Sequence, residues 1–171
     1  MGERETAAMP EGVRFGVSSP EEIAGRTGLE IIQAMGRGEL PAPPISRTLQ
    51  MWASEVADGR VVFNGLPSFD VYNPLGVVHG GWVLTLIDSA CGCAAHTTLP
   101  AGVGYTTIET KANMIRPVTD KTGLVRCTGT VVARGMQIIT AEARVETEGG
   151  KLLAHGTSTL MVLRPRTPAT D

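Results

Sequence analysis

The sequence predicts an α+β fold in which one long helix packs on an antiparallel sheet. Three observations carry this. Asp58-Gly59 sits between two strand-like runs, "RTLQMWASEV" and "RVVFNGLPSF", and Asp-Gly is a strong signal for a two-residue hairpin turn. The glycine-rich stretch "GVVHGG" leads into "WVLTLIDSACGCAA", where Trp82, Val83, Leu86, Ile87, Ala90 and Ala94 recur at helical spacing. Four more strand-like runs then follow one another with only turn residues between them. Consecutive strands joined by short turns pair antiparallel. A helix of roughly 17 residues spans about 25 Å, long enough for such a sheet to curl around it.

Taken in order, residues 1–18 are polar, with scattered glycine and a proline, and read as a mobile tail. In "SSPEEIAGRTGLEIIQAMGRGELPAPP", Ser19 suits a helix cap, Pro20 the first turn, and Glu21 and Glu22 a helix start. Ile23, Leu29, Ile32 and Met35 form the apolar stripe of a short helix, weakened by Gly25 and Gly28. "GRGELPAPP" reads as an extended linker, so residues 1–45 are expected to lie outside the core domain. The hairpin opens the domain at residue 46, and the domain runs to residue 164. Its later strands are "YTTIETKANMIRPV", "GLVRCTGTVVARG", "QIITAEARVETEGG" and "KLLAHGTSTLMVLRP", broken at Thr119-Asp120, Arg134-Gly135 and Gly149-Gly150. Ile139, Ala141, Ala143 and Val145 alternate with polar residues, as in a sheet with one wet face. Residues 165–171 read as a tail.

Composition excludes several classes. Lys and Arg number 15 against 17 Asp and Glu, a net charge of −2, with no basic cluster of the kind that neutralises nucleic-acid phosphates. Aromatics make up 4%, too few for base-stacking platforms. No run of about 18 apolar residues predicts a membrane span, and no apolar segment with basic flanks near the start predicts a secretory signal. Cys91, Cys93 and Cys127 are odd in number and lack metal-ligand spacing, so they read as buried thiols in a reducing, cytoplasmic setting. His79, His96 and His155 stand at unrelated positions and predict no metal site; no cofactor is expected.

Asp88 is the anomaly. It interrupts an apolar helix, where Asp is a poor former. Its neighbours one turn away include Leu84, Thr85, Cys91 and Gly92, a mostly small face that admits another backbone or a ligand. A carboxylate there is solvated, paired with a partner, or chemical. At the helix start, amides without internal partners carry positive potential and can bind an oxyanion.

The pattern N-P-L-G-V-V-H-G-G-x4-L-I-D-x3-G, followed by "YTTIETKANMIRPV" and "AHGTSTLMVL", resembles the hot-dog-fold acyl-CoA thioesterases of the phenylacetate-degradation (PaaI-type) group over roughly residues 45–163. The resemblance implies a long central helix wrapped by the sheet, subunits joined edge to edge as a homodimer and then as a dimer of dimers, and acyl-CoA as substrate. It matches the family's Asn to Asn73, its His to His79, and the glycine whose amide polarises the thioester carbonyl to Gly80, with Gly81 next. Its helix carboxylate matches Asp88. The Ser/Thr that positions water or the carboxylate matches Thr107, with Thr106 adjacent. In the family the Asn/His/Gly set and the Asp/Thr set come from opposite subunits. Some related enzymes carry Glu where this chain has Asp88 and Thr where it has Gly92, differences that bear on acyl preference.

Bottom-up chemistry agrees with this pattern. Thioester hydrolysis needs a base or nucleophile and an oxyanion donor. Asp88 suits the first and the Gly80 amide the second. His79 also suits local hydrogen bonding in the loop. His96, near the helix end, reads as exposed or as offsetting the helix dipole, and His155 as a packed or solvent-facing strand residue. Two rival functions stand beside hydrolysis. An acyl-CoA-sensing module would want a basic helix pair upstream and leaves Asp88 idle. A hot-dog 3-hydroxyacyl thioester dehydratase would want its Asp and His closer together than Asp88 and His79.

Overall fold

The computed structural model describes residues 9–164. Three short helices, α1 (Pro20–Ile23), α2 (Gly28–Gly36) and α3 (Pro44–Leu49), precede the hairpin of β1 (Met51–Ala57) and β2 (Arg60–Gly65). The long helix α4 (Gly80–Thr97) follows, and then β3 (Gly104–Met114), β4 (Val125–Arg134), β5 (Ile138–Thr147) and β6 (Leu152–Leu163). All neighbouring strands pair antiparallel in one six-stranded sheet of order β1-β2-β4-β5-β6-β3. The hairpin turns at Asp58-Gly59, with Ala57 opposite Arg60 and Gly59 at φ +69°, a backbone angle that favours glycine.

Helix α4 lies against all six strands. Trp82, Val83, Leu86, Ile87, Ala90 and Ala94 are buried on it, as their spacing predicts. They meet the inward residues of the sheet, among them Phe63, Val125, Ile139, Val145 and Leu160, in one core. Fully burying a Leu or Ile is worth roughly 1.5–3 kcal/mol, so this helix–sheet contact dominates the fold's stability. Alternation holds along β5, where Ile139, Ala141, Ala143 and Val145 are all buried. No helix among the described residues is long and apolar enough to cross a membrane.

The N-terminal region departs from expectation. The single helix expected over "SSPEEIAGRTGLEIIQAMG" is two, each closed by its own capping box: Ser19 with Glu22, and Thr27 with Glu30. Gly25, at φ +74°, lies in the break between them. The buried face of α2 is Gly28, Ile31, Ile32 and Ala34 rather than the expected stripe, because the break resets the helical phase. Residues 14–16 are not a free tail. Gly16 N–H donates to Ala42 C=O at 2.9 Å and Ala42 N–H to Arg14 C=O at 2.8 Å. Pro44 starts a helix instead of ending a linker, and Ser46, expected to open the hairpin, lies inside it. Ile32 joins the main core, and Gly28 is seated so closely on the His96 carbonyl that no Cβ would fit there. The extension is therefore packed onto the domain, against α4 and β1. The C-terminal tail expected at residues 165–171 lies outside the described residues.

Candidate functional site

The first turn of α4 is built by the loop that precedes it. Tyr72 pins this loop to the β3–β4 connection: its hydroxyl donates to Asp120 Oδ1 at 2.7 Å and accepts from Asp120 N–H at 3.0 Å. Val78 N–H donates to Val118 C=O at 2.9 Å, and His79 N–H to Val71 C=O at 2.8 Å. Asn73 organises the turn itself. Its Oδ1 accepts from Leu75 N–H at 2.9 Å and from Val77 N–H at 3.4 Å, which leaves its NH2 as the group able to reach a ligand.

His79 is the N-cap of α4, and its Nδ1 accepts from Gly81 N–H at 2.9 Å. A backbone N–H can only donate, so Nδ1 carries the lone pair and the ring proton is assigned to Nε2. This bond occupies the Gly81 amide. The Gly80 amide, one residue earlier, has no acceptor among the described residues. Gly80 borders an open cleft of about 360 Å³ together with Asn73, Val83, Met114 and Arg116. One positively polarised N–H at a helix start thus faces an open space.

Asp88 sits about two turns further on and is half-buried. Its Oδ1 accepts two hydroxyl hydrogen bonds, from Thr107 at 3.0 Å and from Thr110 at 2.9 Å. Oδ2 accepts none among the described residues. Of the two threonines marked by the sequence, Thr107 meets the carboxylate, whereas Thr106 is exposed on the other side of the strand. Thr110 was missed, for a physical reason. Strict alternation from Thr107 would turn Glu109 and Lys111 inward. Instead a β-bulge lies between Thr107 and Glu109, with Ile108 as the unpaired extra residue. The bulge flips the alternation and brings Thr110 onto the same face as Thr107. Ser158 on β6, directly opposite Thr110 in register and 1% exposed, completes the cluster. Its signal was legible: Ala154, Gly156, Ser158 and Leu160 alternate inward on β6, and Ser158 is the polar member of that row.

The small face beside Asp88 is filled by a ring. At Gly92 a Cβ would collide with the Tyr105 hydroxyl, 2.6 Å away, so the glycine makes room for an aromatic side chain rather than for a backbone or ligand. Burial pushes the Cys91 and Cys93 thiols up to about 12, with the Asp88 charge adding to both, which keeps them protonated and poor nucleophiles. Burial lowers the pKa of His96, whose ring centroid lies 5.5 Å from that of Tyr105. His96 is then part-buried and neutral near pH 7, neither exposed nor offsetting the helix dipole, the two roles expected of it. His155 faces solvent on β6. Among the described residues no group of three or more His, Cys, Asp or Glu could hold a metal ion.

One chain does not bring its two clusters together. Gly80 and Asp88 are eight residues apart on one helix, roughly 12 Å along its axis.

The profile of the thioesterase superfamily matches residues 75–154, the span holding α4, Asp88 and Thr107. A conserved protein from Pseudomonas aeruginosa is 31% identical, with a TM-score of 0.65 over 70% of this chain and 94% of that one. The chain belongs to the thioesterase superfamily. Within that superfamily, a thioesterase family protein from Silicibacter pomeroyi is 26% identical, with a TM-score of 0.70 over 78% of this chain and 99% of that one. A phenylacetic acid degradation-related protein from Ralstonia eutropha JMP134 is also 26% identical, with a TM-score of 0.69 over 76% of this chain and 98% of that one. No curated protein matches the sequence. The fold is the superfamily's hot-dog fold, a helix wrapped by an antiparallel sheet, and the group resemblance read from "NPLGVVHGG" and Asp88 stands with it. Membership in this superfamily supports thioester hydrolysis as the class of reaction.

Proposed function

We propose that the chain is an acyl-CoA thioesterase that hydrolyses an acyl- or aryl-CoA to the free acid and CoA. The observation that carries this is the state of Asp88: Oδ1 is held by two hydroxyls while Oδ2 is left free to react. Acting as base, Oδ2 takes a proton from water as the water oxygen attacks the thioester carbonyl carbon. The carbonyl π electrons move onto oxygen, where the Gly80 N–H receives the developing charge. The tetrahedral intermediate then expels the CoA thiolate, which takes up the proton from Asp88. Acting as nucleophile, Oδ2 attacks the same carbon, the C–S bond breaks and CoA leaves as its thiolate, giving a mixed anhydride; water then opens the anhydride to the free acid and the Asp88 carboxylate, and the proton released passes to the thiolate. In both routes the Asn73 NH2 and the His79 Nε2–H are the side-chain donors beside the oxyanion site.

The complete site belongs to a homodimer in this reading, with Gly80 from one subunit facing Asp88 from the other, and such dimers pair again as tetramers. The spacing of the two clusters along α4 supports this. So do the exposed apolar residues that flank Asp88: Leu84 one turn before it, at 37% exposure, and Ile108 at the bulge, at 56%. Strand β3 is also an edge strand, open to pairing with another chain. Three free cysteines, two of them buried, suit a reducing cytoplasm.

Thiol release from a panel of acyl-CoAs tests the activity, and Asp88→Asn tests its origin. Asn keeps an Oδ1 for both threonines but puts NH2 where the reacting oxygen stood. Turnover should fall by at least ~10²-fold with the fold intact. A variant retaining more than about half of wild-type turnover would remove Asp88 from the chemistry.

A further inference from the structure

The hydrogen bonds behind Asp88 continue one residue deeper into the sheet. Thr110 Oγ1 lies 2.9 Å from Asp88 Oδ1 and 3.0 Å from Ser158 Oγ, and Ser158 Oγ also lies 3.0 Å from the Glu109 carbonyl. Each hydroxyl has a single proton. An ionised Asp88 can only accept, so the Thr110 proton points at Oδ1. The Thr110 lone pairs then face Ser158, and two hydroxyls 3.0 Å apart would repel if both pointed lone pairs at each other. The single Ser158 proton is shared between two acceptors at 3.0 Å, the Glu109 carbonyl and Thr110 Oγ1, and through the second a chain of donors runs Ser158 to Thr110 to Asp88. Such chains strengthen one another in a low-dielectric surround. Ser158 is 1% exposed, so no bulk water competes for its hydroxyl. The charge on Asp88, relayed through Thr110, draws the Ser158 proton away from the Glu109 carbonyl to which it also donates.

We propose that Ser158, acting through Thr110, is a positioning residue that locks Asp88 Oδ1 and so fixes Oδ2 as the reacting oxygen. This rests on Asp88 being the reacting carboxylate. Ser158 itself touches no reacting atom.

The test is a double-mutant cycle read in kcat and KM for thiol release from the best acyl-CoA, with Asp88→Asn measured alongside. Thr110→Val keeps the shape of the side chain and removes its hydroxyl. It should lower kcat by about tenfold and leave KM within about twofold, as loss of a hydrogen bond to a charged group predicts. Thr110→Ser should retain at least about half of kcat, since the donor is restored. Ser158→Ala should lower kcat several-fold, again without moving KM. The double variant should be no slower than Thr110→Val alone, because Ser158 has no other route to the carboxylate. Should Ser158→Ala fail to fold, Ser158→Cys takes its place, keeping the volume with a weaker donor. Multiplicative losses in the double variant, or an unchanged kcat in either single variant, would overturn the role of Ser158 while an inactive Asp88→Asn left the thioesterase reading standing. An active Asp88→Asn would overturn both.

Discussion

At the first turn of α4 the available functional group belongs to the backbone, whereas two turns later it belongs to a side chain. The Gly80 amide is set by a loop that Tyr72, Val78 and His79 tie down, and its own residue contributes no atoms beyond the main chain. The Asp88 carboxylate is set by hydroxyls from β3, with Ser158 of β6 behind them. A donor made of backbone is insensitive to most substitutions at its own position but sensitive to any that removes the N–H. A carboxylate is sensitive to its own replacement and to that of the side chains that orient it.

Proline at position 80 gives the strongest expected break on the backbone side. Gly80 is the first residue of α4, where proline is favoured. His79, at φ −61° and ψ 135°, already has the extended backbone that a residue before proline adopts. A Cβ at Gly80 would meet only the Met114 methyl, at 3.5 Å, an ordinary contact. Gly80→Pro should therefore fold and lose ~10²-fold or more in turnover, while Gly80→Ala, which keeps the N–H, should lose far less. Circular dichroism and thiol-release kinetics on both variants decide it. A folded Gly80→Pro enzyme at near-normal rate would clear the Gly80 amide of the role.

The two clusters can then be set against each other across subunits. Asp88→Asn and Gly80→Pro proteins, each inactive, are mixed and allowed to exchange. If Gly80 and Asp88 of one site come from different subunits, half of the dimers are hybrids with one intact site of two, so about a quarter of wild-type activity should return. Verified exchange with no recovery would place both groups of a site in one chain.

The last turn of the same helix supplies the smallest expected effect, and one on stability alone. Burial lowers the pKa of His96 in the folded state. The stability it contributes is full above the ordinary histidine value of about 6.5 and is lost as pH falls from there through the lowered folded value, because the unfolded chain takes up the proton first. Thermal unfolding between pH 8 and 5 should show a fall in midpoint below about pH 6.5 that is reduced in His96→Gln. An identical pH dependence in that variant would refute the contribution.

Much of the fold was legible in the sequence because its punctuation is local. Asp58-Gly59, Arg134-Gly135 and Gly149-Gly150 each end a strand, and the helical spacing from Trp82 to Ala94 needs no distant partner to be recognised. Asp88 stood out for the same reason, as a carboxylate in an apolar helix. Thr110 did not, because a bulge is a property of two paired strands and leaves no mark on one. The packing of α2 was missed for a similar reason: Gly25 and Gly28 look like weaknesses in a helix, but one lies in a break and the other seats the chain on the His96 carbonyl. The distance between Gly80 and Asp88 along α4 could be counted from the sequence.

The packed N-terminal extension has a consequence for assembly. A sheet whose two edges are both open can accept a copy on each side, and head-to-tail addition of that kind grows into a filament rather than closing. Here the two edges differ. β1 has α2 and α3 packed against it and a bulge between Ala53 and Glu55, where Glu55 pairs with Arg60 and Arg126, whereas the extension reaches β3 at its start, where Pro20 and Ile23 line a cleft with Gly104. Pairing through β3 alone is self-limiting, since joining two such edges leaves none to extend. In a pair joined through β3, the N-terminal extension would blunt the outer β1 edges against further edgewise growth.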